Sequence, residues 1–507
     1  LKISQLVSKI PGSATLALTA KVNELKAQGK DVIGFTAGEP DFDTPENIKS
    51  SAIDALHRGS TKYTPVGGTP KLKEAICANI KKDYGIAVEP ENVIVSCGAK
   101  HSLYNLFLTL FEAGDEVICP GPYWVSYPPM VEMTGAKAVI IDTRPTGMKL
   151  HADMVAEAIT SRTRGLIINS PCNPTGMVFE RAELEKIAEL CVEHDISIIS
   201  DDIYRKIIFD NMEFFSVASI SPEIARKTFI VDGSSKTYAM TGWRIGYCIG
   251  DSTVIKAMER LQSQSTSNPV SFAQDGAVAS LINDETQKVV EDRRQIFEKR
   301  RDLIVEKLRE IPGIGVIPPN GAFYAFPSIN GYMERFGNAS AFAEYLIEHA
   351  LVAMVPGGEF GAPDHVRLSF ATSDQNIIKG LERIKESLAA LLAAKGLAGA
   401  TVRVSPSGPS MSRLGTVPSC PDMGSTGEPA LHGNHSKEKS SVTDMGSRMQ
   451  WGGVLHEHEH SQLPDIQENP DPDGGPGQAH THVLRRGHRI PQAGTEGPCR
   501  QELQACE

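Results

Sequence analysis

The sequence predicts an α/β protein whose main sheet is largely parallel and covered by helices. Two observations carry this. Seven short β-rich runs recur between residues 92 and 250: NVIVSC, EVICP, AVIID, GLIIN, ISIIS, TFIVD and RIGYCIG. Amphipathic stretches separate several of them; in RAELEKIAELCVEHD, Leu184, Ile187, Ala188 and Cys191 fall at i, i+3, i+4 and i+7, one apolar stripe with charges opposite. Strands alternating with helices build βαβ units, whose sheets are mostly parallel and buried on both faces. Ligands on such sheets gather beyond the carboxyl ends of the strands. Chemistry is therefore expected just after each run.

Composition narrows the function classes. A chain of 507 residues is long enough for two or three domains with sizeable cores. Its 62 acidic and 51 basic residues leave a net charge of -11, and no basic stripe appears, which argues against nonspecific binding to nucleic acid or anionic membranes. No run approaches the apolar length of a membrane span. The cysteines stand singly, with no CxxC pair, so a reduced, cytoplasmic compartment is expected. The chain opens at Leu1 with no initiator Met and no signal pattern, which leaves a processed or truncated N-terminus open. Near residue 397 Gly, Pro, Ser and His take over, and 398–507 is expected to be a disordered low-complexity tail. Its HEHEH run at 456–460 has no fixed surroundings to orient ligands, so no specific metal site is expected.

The strand ends supply the candidate chemistry in order. After NVIVSC, Gly98 opens a helix-like run, and backbone N–H groups at such a start form a phosphate cradle. After GLIIN, the stretch SPCNPTG sets Asn173 between prolines. After ISIIS come Asp201 and, three residues on, Tyr204. After TFIVD, the turn GSSK presents Lys236, with Arg244 eight residues later. An amine able to attack a carbonyl, beside a guanidinium and a small-residue turn that hold phosphate, suggests a phosphate-bearing aldehyde, pyridoxal phosphate. Each residue alone has an ordinary alternative: a proline turn for Asn173, a helix cap for Asp201, a solvated lysine and a surface arginine.

Together with GEPDFDTP, YTPVGGTP, PYWVSYP, SKTYAMTGWRIGY and HVRLSFATS, these motifs over residues 2 to 393 resemble the class I pyridoxal-phosphate-dependent aminotransferases of fold type I. Within that group they are similar to the bacterial-type aspartate aminotransferases. The resemblance implies a mainly parallel seven-stranded sheet in a large domain plus a smaller α/β domain. The large, cofactor-binding domain would span 41–285, and the small domain would join the segment 1–40 to 286–397. It implies a homodimer with shared active sites, acting on small amino acids and 2-oxo acids, with L-aspartate and 2-oxoglutarate as the expected pair and prephenate as a second acceptor.

Residue by residue, the resemblance implies that Lys236 holds the cofactor covalently and then moves the substrate proton. Asp201 would pair with the pyridine nitrogen, Tyr204 and Asn173 with the phenolic oxygen, and Trp124 would stack on the ring. Phosphate contacts would come from the N–H groups of Ala99 and Lys100, from Arg244 and Ser235, and from Tyr63 of the neighbouring subunit. Arg367 would grip the substrate α-carboxylate, Gly38 would let backbone approach the substrate, and Lys100 and Thr15 would meet its distal group. Two positions depart from the pattern. Gly233 stands where many relatives have serine, leaving Ser234 or Ser235 to replace its hydroxyl, and Asp202 stands where close relatives carry Glu. Alanine or aromatic aminotransferases and β-lyases share Lys236, Asp201, Tyr204 and Arg367. A cofactor-sensing regulator is the alternative outside catalysis, and it would add a winged-helix segment before AGEPDF.

Overall fold

The seven β-rich runs form one sheet in the computed structural model, which describes residues 1–393 apart from 11 and 13. The strands are β1 (Val93–Ser96), β2 (Glu116–Gly121), β3 (Lys137–Asp142), β4 (Thr163–Asn169), β5 (Ser197–Asp201), β6 (Thr228–Gly233) and β7 (Gly246–Ile249). Their order is β1-β7-β6-β5-β4-β2-β3. The pairs from β6 through β3 are parallel, while β7 runs antiparallel to both neighbours. The expected tail at 398–507 lies outside the described residues.

Side-chain alternation puts apolar groups on both faces of this sheet. Ile94, Val117, Ile167, Ile199 and Val231 pack against Leu103, Leu106 and Phe107 of the helix Ala99–Leu110. On the other face, Ile118, Leu166, Ile168 and Ile198 meet Leu184, Ile187, Ala188 and Cys191, the stripe predicted for the helix Arg181–Glu193. Val93, Val95, Ile230 and Ile249 meet helices Pro70–Tyr84 and Ser271–Ile282 on that face. Burying each large aliphatic side chain contributes about 1.5–3 kcal/mol. One contact is made by backbone alone: a Cβ at Gly246 would stand 2.0 Å from the amide nitrogen of Ala99, so only glycine lets β7 touch the start of the Ala99–Leu110 helix.

A second core follows the helix Asp284–Arg309, whose first turn is capped by Asn283 accepting from the Glu285 and Thr286 N–H groups. Phe297, Ile304 and Leu308 of that helix pack with Phe323, Phe342, Phe370 and Leu381. Here β8 (Tyr324–Ala325), β9 (Val355–Pro356) and β10 (Val366–Ser369) form an antiparallel sheet in the order β9-β10-β8. The N-terminal Ile33–Gly34 pairs in parallel with Val352–Ala353, and Phe35 enters this second core. Among the described residues no helix is long and apolar enough to cross a membrane.

Candidate active site

Asp201 ends β5 on the face that carries Ile199, and only 5% of it is exposed. Tyr127 Oη donates to its Oδ2 at 2.6 Å, and the Ile203 N–H reaches Oδ1 at 3.4 Å. Burial pushes the carboxyl up to about 6, against the lowering effect of the Tyr127 bond. Asn169, at the end of β4, steadies the same corner: its Nδ2 donates to the Asp201 carbonyl at 2.9 Å, and its Oδ1 accepts the Asn173 N–H at 2.8 Å. Lys236 stands just beyond β6, its Nζ donating to the Gly38 carbonyl at 2.5 Å. Burial pulls the amine down to about 8, with Glu39 opposing the shift.

Arg367, on β10, comes from the second sheet to the same place. Its Nη1 donates to Asn173 Oδ1 at 3.0 Å and its Nη2 to the Thr36 carbonyl at 3.2 Å. The guanidinium lies 4.5 Å from the Tyr324 ring centre and 5.0 Å from that of Phe360. It is 3% exposed, its Nε has no partner, and among the described residues no carboxylate comes within ion-pair distance. A buried cation without an acid is costly. An incoming carboxylate removes that cost with two parallel charge-assisted bonds.

Tyr324 joins this arginine to Tyr204, since the two hydroxyls lie 2.8 Å apart while the Tyr324 ring supports the guanidinium. Replacing Tyr324 by Phe keeps the ring and leaves the buried Tyr204 hydroxyl without its protein partner. The expected cost is about 1–3 kcal/mol, read as a lower urea midpoint of unfolding with Arg367 still competent to bind a carboxylate. An unchanged midpoint would remove the Tyr204–Tyr324 bond from the account of stability.

The residues expected to contact phosphate meet at the turn before the Ala99–Leu110 helix. Gly98 has φ +92°, and a Cβ there would stand 2.5 Å from Arg244 Nη2. Arg244, itself left-handed at φ 55°, donates through Nη1 to the Thr241 carbonyl at 2.9 Å and through Nη2 to the Cys97 carbonyl at 3.3 Å. Its charge is thereby held beside the helix N-terminus, where backbone N–H groups and the helix dipole favour an anion. Lys100 Nζ lies 4.8 Å over the Trp124 ring, and Trp124 meets Tyr127 edge-on at 5.2 Å.

Strand parity bears on the two departures. Asp232 points to the face where Arg205 Nε and Tyr247 Oη donate to its carboxylate, at 2.7 Å and 3.0 Å. The ladder continues one residue past β6, through the Ser234 N–H to the Ile245 carbonyl at 3.2 Å, so Ser234 falls on the face of Asp232, away from Asp201. A Cβ at Gly233 would stand 2.9 Å from both the Gly246 Cα and the Ile245 carbonyl oxygen, which leaves no room for serine. Asp202 also faces away from Asp201, accepting from Ser200 Oγ at 2.6 Å and Tyr84 Oη at 3.0 Å. Burial raises it to about 7.

Lys236, Asp201, Tyr204, Asn173, Arg367, Gly38, Trp124, Lys100, Ala99 and Arg244 thus surround the strand ends. Tyr63 does not join them: it is 90% exposed. Thr15 belongs to the helix Ala14–Ala27, but its side chain lies outside the described residues. Tyr127, Asn169 and Tyr324 were not singled out from the sequence. Tyr127 stands in PYWVSYP three residues after Trp124, which was the available signal. The donor set fits a phosphorylated aromatic aldehyde: an amine of lowered pKa, a buried carboxylate beside a phenol, an aromatic plate, and an N-terminal helix turn with its own arginine.

Known proteins resemble this chain over most of its described residues. The family description "Aminotransferase class I and II" matches residues 30–384. The chain is 47% identical over 387 residues to the aspartate aminotransferase of Geobacillus stearothermophilus, covering 76% of this chain and 98% of that one. It is 46% identical over 387 residues to a probable aspartate/prephenate aminotransferase of Aquifex aeolicus, with the same coverage of each. Among solved structures, the Thermus thermophilus aspartate aminotransferase with maleate superposes with a TM-score of 0.73 at 43% identity, over 76% of this chain and all of that one.

Proposed function

The chain belongs to the class I and II aminotransferases, and from that premise we propose that it moves the amino group of L-aspartate to 2-oxoglutarate in a two-half, ping-pong cycle. Prephenate is the proposed second acceptor, in keeping with relatives named for both substrates. The observation that carries the reading is Arg367, a buried guanidinium with an orphan Nε and no acid beside it among the described residues. The small-molecule substrates of the family each present an α-carboxylate to such a group.

The cofactor is pyridoxal 5'-phosphate, which when bound supplies an electron-withdrawing ring that stabilises negative charge at the substrate Cα. Lys236 would hold it through Nζ and, as a free amine, would carry the proton from the substrate Cα to the cofactor's C4′ carbon within one half of the cycle and in the reverse direction in the other. Asp201 would pair with the ring nitrogen and favour its protonated form by charge, and Tyr127 keeps Asp201 oriented. Tyr204 and Asn173 would donate toward the phenolic oxygen, and Trp124 would stack on the ring. Ala99, Lys100, Arg244 and Ser235 would hold the phosphate; Ser235 is preferred over Ser234 because strand parity turns Ser234 to the other face.

Arg367 and Gly38 position the α-carboxylate end of the substrate. The second core that carries Arg367, with the segment 1–40 and residues 286–397, is the proposed small domain that closes over 41–285 and excludes water. Tyr63, exposed on its own chain, is the proposed phosphate contact to the partner in a homodimer, and the proposed compartment is the cytoplasm. Lys100, with Thr15, is the proposed partner of the distal carboxylate. A direct assay of aspartate with 2-oxoglutarate, and with prephenate in its place, tests the reaction. Lys100→Gln is expected to lower kcat/KM for aspartate about 10–100-fold, as one lost charge-assisted contact of about 1.5–3 kcal/mol implies, and to spare alanine. Equal losses for both donors would remove Lys100 from distal recognition.

A further inference from the structure

Behind the site, on the far side of Tyr127 and Asn169, lies a cavity of about 200 Å³ between the chain around 143–151 and the chain around 172–180. Lys236, Arg367, Tyr204 and Trp124 do not line it. We propose that this cavity is a second binding site, for an uncharged aromatic molecule of one or two rings, and that its occupant acts on Asp201 through Tyr127.

Size and lining select the ligand class. A cavity of about 150 Å³ walled by apolar side chains stays dry and takes benzene, so about 200 Å³ admits a bicyclic ring. Tyr123, Phe179, Met148 and Met177 contribute to the wall. Aromatic edges and polarizable thioethers both favour a flat π-system. Charge in the lining is confined to Lys149, Glu180, Glu183 and, when protonated, His151, and both carboxylates already have cationic partners, Glu183 in Lys186 Nζ at 3.6 Å. Lys149 Nζ binds Glu180 Oε1 at 2.7 Å, and His151 Nδ1 lies 3.8 Å from Glu183 Oε1. A charged guest would therefore lose its hydration without gaining a free counter-ion.

The inner wall links the cavity to the chemistry. Tyr127 and Asn169 both line it, and both bond Asp201, one through its carboxylate and the other through its carbonyl. Tyr127 is 2% exposed and close-packed, so a guest pressed against its ring moves the hydroxyl relative to Asp201 Oδ2. Asp201 sets the charge of the cofactor ring in the proposed function, which makes the visible spectrum the reporter of occupancy.

Indole titrated into the holoenzyme is the test, followed by calorimetry and by the visible band of the lysine-bound cofactor. The expected result is saturable one-to-one binding, with a Kd on the order of 1 mM or tighter, and a shift in the pH midpoint of that band. Binding should persist under saturating maleate, a dicarboxylate expected to take the Arg367 side in the proposed function. Val178→Trp and Met148→Trp, which fill the cavity, should each weaken indole binding at least about tenfold while aspartate turnover remains. Tyr127→Phe should keep indole binding and lose the spectral shift. Absence of saturable heat, displacement by maleate, unchanged affinity in both filled variants, or binding without any change at the cofactor band would each overturn the proposal. Failure of aspartate turnover alone would instead count against the proposed reaction, because the binding measurement does not depend on it.

Discussion

Lys236→Ala is expected to abolish transamination and the visible absorption that marks a covalently held cofactor. General acid–base work by a positioned side chain is worth about 10²–10⁴-fold, and the covalent attachment adds to it, so a loss of at least about 10⁴-fold in kcat is the expected scale. The amine makes a further prediction about wild type. Burial lowers Lys236 to about 8 from the ordinary 10.5, and only the deprotonated amine attacks an aldehyde. Capture of cofactor by the apoprotein should therefore accelerate as pH rises through about 8, not 10.5, and stopped-flow absorbance reads this directly. A variant that retained both the absorption and the pH-dependent capture would place the attachment on another residue.

Asp201→Ala is expected to divide stability from activity. A buried acid that loses its partner, or a partner that loses its acid, costs about 3–5 kcal/mol, so turnover should fall by about 10²–10⁴-fold and cofactor affinity with it. In the apoprotein the sign is opposite. Burial raises Asp201 to about 6 from its ordinary 3.8, so the stability it confers is full below 3.8 and is lost as pH rises through about 6. At pH 7 the ionised, buried carboxylate is then a burden, which alanine removes. Urea unfolding of the apoproteins should show wild type losing stability relative to Asp201→Ala between pH 4 and pH 7. Bound cofactor, by placing a cation opposite the carboxylate, should reverse that order. Parallel curves at both pH values would mean that Asp201 is not the group burial has shifted.

Much of this arrangement was legible because the groups that meet at the candidate site stand directly after strands. GLIIN, ISIIS and TFIVD each end at a residue that points into the site or a turn that does, so reading past the last apolar residue found Asn173, Asp201 and Lys236. The seven runs also matched the seven strands, since β-branched residues buried on both faces leave few other folds. What escaped was set by contacts distant in sequence. Tyr324 belongs to another sheet, and nothing in GAFYAF says its hydroxyl will meet Tyr204, 120 positions away. Tyr127 was visible only as one aromatic in a turn. The choice between Ser234 and Ser235 needed strand parity at the end of β6, which spacing alone does not supply. The role proposed for Tyr63 rests on a second chain, and the side chain of Thr15 and the segment after 393 lie outside the described residues.

Asp201 and Asp202 are consecutive, yet β5 turns one toward the Tyr127 side and the other toward Ser200 and Tyr84. Because sheet parity is two, losing or gaining a single codon between Ile196 and Asp201 would exchange their addresses. Substitution can trim this site by degrees, but a one-residue indel in β5 would invert it outright. Length variation among functional descendants of this chain should therefore collect in its loops and leave β5 at constant length.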